Sequence, residues 1–170
     1  IYKLVSIKNK MPKDYSIQEL KKDYNQLKIK YSLPEFTELN KLFDIEDIEI
    51  ETEFLLKKIR RTISEKIAGY LRFIDVILNP SNAPIFFFKL AKRLDSKDMQ
   101  TLKNIYEKLG KFEIQTICLD IDYSEKNDAE FIKDIFNTFN KEIKKDFIVI
   151  IEKLNTEEEN SKKINGSYFG

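Results

Sequence analysis

Apolar residues recur at three- and four-residue steps through Leu56, Ile59, Ile63, Ile67, Tyr70, Ile74 and Ile77. That spacing puts them on one side of a helix and predicts the strongest element of the chain over residues 52–78. Leu55, Leu71 and Leu78 widen the stripe, so this helix is expected to meet more than one neighbour. Asn79-Pro80 ends it, because proline lacks the donor a helix interior needs. Ser81 or Asn82 is then expected to cap the next helix, with Pro84 in its first turn and Phe87, Leu90, Ala91 and Leu94 inside. The two segments read as antiparallel helices around a short rigid corner.

The same spacing extends to both sides of this pair. Ser16 with Glu19 reads as a capping box opening a helix through Ile17, Leu20, Tyr24, Leu27 and Tyr31. Leu33-Pro34 breaks it, and Pro34 is expected at the first position of a short helix carrying Phe36, Leu39, Leu42 and Phe43. Asp44 to Glu51 alternates acid with Ile45, Ile48 and Ile50, which would allow a short strand, but an acidic approach to the positive end of the next helix is the preferred reading. Ser96 is expected to cap a helix through Met99, Leu102, Ile105, Tyr106, Leu109 and Phe112. Ser124 is expected to cap a last long one over 125–155. Residues 112–121 carry two signals: a period-two alternation that would pass as a strand, and helical steps at Leu109, Phe112, Thr116 and Leu119. Helix is the preferred reading. The fold expected is all-α, an antiparallel bundle of five or six helices.

Composition narrows this further. Only four Gly and four Pro occur in 170 residues, which favours long helices over a sheet rich in turns. The length fits one domain, read as residues 14–156, between an N-terminal extension or tag (1–13) and a disordered polar tail (157–170). Thirty basic against 29 acidic residues leave +1, so only a local patch would bind by charge. The longest apolar runs, such as Phe147 to Ile151, are too short to span a membrane. Ile1 to Ile7 is too short for a signal peptide's apolar region. A cytoplasmic protein is expected. Cys118, the sole cysteine, sits among Ile117, Leu119 and Ile121 and is read as a buried thiol.

Candidate chemistry is sparse. With no His and one Cys, the usual zinc, copper and haem sites and the Ser-His and Cys-His pairs have no ligands or bases. The glycines are too scattered for a phosphate-binding loop, and no calcium loop occurs. No catalytic residue, metal, cofactor or small-molecule substrate is therefore predicted.

Two features remain as surface candidates. Lys57, Arg60, Arg61 and Arg72 on one helix, with Lys89, Lys92 and Arg93 beyond the corner, would form a basic ribbon fit for phosphates if the two helices pack antiparallel. The alternative is a solvated face paired with nearby glutamates. In Phe86-Phe87-Phe88, three successive helical residues point in three directions, so at least one must meet a second layer, a partner or solvent. Phe86 and Phe88 are the candidate partner anchors.

Two stretches resemble a family of small uncharacterised helical proteins encoded in archaeal genomes. They are Leu33-Pro-Glu-Phe-Thr-Glu-Leu-Asn-Lys-Leu-Phe with the helix Phe54-Leu-Leu-Lys-Lys-Ile-Arg-Arg, and Asn79-Pro-Ser-Asn-Ala-Pro-Ile-Phe-Phe-Phe. The resemblance covers about residues 14–155 and implies an archaeal, cytoplasmic, all-helical protein. It carries no activity and no site residues. The expected function is non-catalytic protein interaction or scaffolding, with self-association as one form. Association with RNA or the ribosome through the basic surface is the alternative.

Overall fold

The structure, a computed structural model, describes residues 13–48 and 54–156. The N-terminal extension, the end of the acidic approach and the C-terminal tail fall outside the described residues. Among the described residues the chain is all-α, with no strand. The elements are α1 (Lys13–Tyr31), α2 (Phe36–Phe43), α3 (Leu55–Leu78), α4 (Ile85–Ala91), α5 (Ser96–Ile121), α6 (Glu125–Thr138) and α7 (Lys144–Asn155).

Several boundaries differ from expectation for local reasons. Helix α1 begins at Lys13, so Ser16 lies within it rather than capping it. Its end closes through a left-handed Ser32 (φ 54°), with the Leu33 amide bonding back to the Lys28 carbonyl. Pro34 precedes the cap of α2, which is Glu35. Residues 80–82 form a 3₁₀ turn, and Pro84 itself is the residue before α4, its fixed φ of −52° leading into the first turn. Asp95, not Ser96, caps α5: its side chain accepts from the Lys97 and Asp98 amides while Asp98 reaches back to the Asp95 amide. Ser124 caps α6 as expected.

Residues 112–121 are helical, as preferred, and α5 runs unbroken to Ile121. The long C-terminal helix is interrupted by a π-helical turn, Phe139–Ile143. Its cause lies in the sequence. Core residues Ile135, Phe139, Ile143 and Phe147 follow at four-residue steps, and each such step overshoots a full α-turn by about 40°. A wider turn cancels the drift and keeps Phe139, Ile143 and Phe147 on one buried side.

Helix α3 is the centre of the packing. Its Ile59, Ile63, Ile67, Ile74 and Ile77 are buried, and it touches α2, α4, α5 and α6. The pairing of Arg60 with Asp120 and of Ser64 with Thr116 shows that α3 and α5 run antiparallel. Around Tyr70 an aromatic cluster closes the core: its ring stacks on Phe139 at 5.8 Å and meets the edge of Phe147 at 5.5 Å. Tyr24 is fully buried, and its hydroxyl donates to the Pro34 carbonyl at 2.8 Å.

Candidate functional site

The basic residues expected to form one ribbon are divided by the structure between interior and surface. Arg60, expected on the surface as part of the ribbon, is wholly buried. It follows Leu56 by four residues and precedes Ile63 by three, so it lies within the apolar stripe that faces α5 and α6. Its Nε donates to Asp128 Oδ1 at 2.7 Å and its Nη2 to Asp120 Oδ1 at 2.7 Å, with a longer contact to the Thr116 carbonyl. Arg93 is likewise turned inward. Its Nη1 donates to the Leu154 and Thr156 carbonyls and so closes the C-terminal end of α7.

The remaining members are nearer solvent. Arg61 reaches Asp120 at 3.3 Å, Lys57 lies over the Tyr123 ring at 5.2 Å and Lys92 over the Phe88 ring at 4.6 Å. Arg72 and Lys89 are exposed.

The Arg60 junction ties three helices through one guanidinium. The two carboxylates around it behave oppositely. Arg60's hydrogen bond, opposed in part by burial, holds the half-exposed Asp120 carboxyl below the usual aspartate range. At Asp128, burial outweighs the pull of Arg60 and pushes the carboxyl up. Only one of its oxygens is bonded; Oδ2 is buried without a hydrogen-bond partner among the described residues. Beside this pair, Ser64 and Thr116 hydroxyls bond at 2.8 Å. Among the described residues no group of three or more His, Cys, Asp or Glu could hold a metal ion.

A shallow groove of about 420 Å³ opens between α5 and the end of α6 with the π-helical turn, lined by Lys108, Lys111, Phe112, Asn137, Thr138 and Glu142 among others. Lys108 bonds Glu142 at 2.8 Å, joining two of the residues that line it. Its walls carry both signs of charge.

The apolar residues outside the core are the more distinctive feature. On α4, Ile85 is 75 %, Phe86 61 % and Phe88 44 % exposed, while Phe87 and Leu90 turn inward. The Phe86 and Phe87 rings meet edge to face at 5.4 Å, which holds Phe86 upright on the surface. On α5, Ile114 is 65 %, Ile117 57 % and Ile121 82 % exposed, and Cys118 beside them is exposed rather than buried. Ile148, Val149 and Ile151 add a smaller exposed group on α7. The Cys118 expectation failed because Cys118 points away from the side of α5 that carries Thr116 and Asp120. The signal was present: Leu109, Thr116 and Asp120 share one face, and Ile114, Ile117 and Ile121 share another.

No protein-family model, curated protein or solved structure matches this chain.

Proposed function

We propose that this protein is a non-catalytic interaction module that binds a partner protein through the apolar face of α4. The observation that supports it is the exposure of Ile85, Phe86 and Phe88 together on the first turn of one short helix, next to a proline-fixed corner. Contiguous exposed aromatics of this kind characterise protein-binding anchors, because a ring brings large apolar area with few rotatable bonds. Lys89 and Lys92 rim the face and suit a partner with acidic residues at its edge.

The burial of Arg60 and the inward turn of Arg93 favour this reading over RNA binding, since both belonged to the proposed ribbon and now satisfy internal acceptors. The test is affinity capture from native lysate, with and without nuclease, comparing the natural chain with a Phe86→Ser, Phe88→Ser variant. A nuclease-resistant partner lost from the variant is the expected result. Retention that depends on intact RNA, is indifferent to the phenylalanines and is lost with Arg61→Glu and Arg72→Glu would contradict it.

A further inference from the structure

The outer ridge of α5 has an internal symmetry. Met99, Lys103, Tyr106, Gly110, Ile114, Ile117 and Ile121 follow one another at steps of four, three, four, four, three and four. They therefore lie along one side of the helix, and the steps read the same in both directions from Gly110. The half before Gly110 carries Tyr106 and the long stems of Met99 and Lys103; the half after it carries the exposed isoleucines.

We propose that the protein forms a two-fold dimer in which this ridge packs antiparallel on the same ridge of a second copy, with Gly110 at the crossing. A two-fold contact demands a surface complementary to itself, where residue i meets j and j meets i. Centred on Gly110, Ile114 meets Tyr106 of the second copy, Ile117 lies along the Lys103 stem and Ile121 meets Met99. Every exposed isoleucine of the ridge finds a partner twice.

Gly110 supports the choice of centre. A glycine inside a helix lowers its stability relative to alanine, so its presence wants a reason. Among the described residues there is none: a Cβ at Gly110 would meet nothing within 4 Å. At a helix crossing it lets two backbones approach closely. Gly69 on α3 is equally open, but Glu65, Arg72 and Thr62 surround it rather than exposed apolar residues.

Charge favours a second copy over an arbitrary partner. Glu107 and Lys111 flank Gly110 on the same side of the ridge, both exposed. The two-fold sets Glu107 of one copy near Lys111 of the other, on both sides of the crossing, whereas a parallel pairing would set like charges together. This contact uses none of the α4 residues Ile85, Phe86 and Phe88.

Sedimentation equilibrium tests the dimer directly. A one-helix contact lies at the small end of interface sizes, so association is expected to show between about 0.01 and 0.5 mM. Ile117→Glu and Gly110→Leu should each leave a monomer. Gly110→Leu should melt no lower than the natural chain, since leucine is the better helix former, which separates lost dimerisation from lost folding. Spin labels on Cys118, on the flank of the ridge, should report a separation of about 25 Å, sixteen residues of helical rise between symmetric positions. Labels within about 12 Å would show a parallel pairing and overturn the proposal. So would a natural chain monomeric at every concentration, or a dimer broken by Phe86→Ser and untouched by Ile117→Glu. The α4 reading fails separately, by partner capture that Phe86→Ser and Phe88→Ser leave intact, with the mass unchanged.

Discussion

The two faces of α5 between residues 113 and 121 reverse the usual arrangement of a helix. The inner face carries Thr116 and Asp120, bonded to Ser64 and to the buried Arg60. The outer face carries Ile114, Ile117 and Ile121, exposed to solvent. Its first half is ordinary, with Leu102, Ile105 and Leu109 buried and Lys103 and Glu107 outside. The polar residues of the inner face are partnered, Thr116 by Ser64 and Asp120 by Arg60, whereas clustered exposed apolar residues are a mark of contact surfaces. The contrast separates what the chain needs for its own stability from what the proposed contact would use.

The largest expected effect lies on the inner face. Arg60→Ala strands Asp128 in the core and should lower the unfolding free energy by about 3–5 kcal/mol in urea titration. Arg60→Met combined with Asp128→Leu removes both charges and should recover much of that loss. If Arg60→Ala leaves stability unchanged, the junction is not the tie described here.

Acid sharpens the same contrast. Arg60's hydrogen bond holds the folded Asp120 pKa below its unfolded value, so its contribution is complete above about pH 4 and disappears as pH falls through the folded value. Hydrogen bonds from Lys153 to Asp98 and from Lys30 to Glu125 act in the same direction. Asp128, raised by burial, has the opposite sign: it favours the folded state at low pH and loses that contribution as pH rises through its folded value. The melting temperature should therefore fall on going from pH 5 to pH 2.5, and Asp120→Asn should flatten that fall. An Asp120→Asn variant with an unaltered pH profile would remove Asp120 from the account.

A smaller effect is expected at the neighbouring hydroxyl pair. Thr116→Val leaves Ser64 without its partner at a loss of about 1 kcal/mol. Adding Ser64→Ala should cost less than a second increment of that size, and full additivity would show that the two hydroxyls are not coupled.

The all-helical character of the chain was legible from periodicity because apolar steps of three and four run through α1, α3 and α5–α7. What escaped was side-chain choice within the right helices. Arg60 was read by its charge as a surface residue, although its position between Leu56 and Ile63 places it in the stripe. Nothing in its own helix announces Asp128, 68 residues further on, as its partner. Cys118 was read by its apolar neighbours in sequence, but Ile117 and Ile121 share its exposed face and only Leu119 turns inward. The π-helical turn was written in the run of four-residue steps from Ile135 to Phe147. Three successive rings required that at least one leave the core; that both Phe86 and Phe88 are exposed was not fixed by that argument.

The claim that the outer isoleucines of α5 serve contact with another molecule, not folding, is tested most directly by thermal melting of dilute protein. The variant carries Ile114→Gln, Ile117→Gln and Ile121→Gln together. The account predicts a change below about 0.5 kcal/mol, as for ordinary surface positions. A triple variant that unfolds as readily as Arg60→Ala would contradict it.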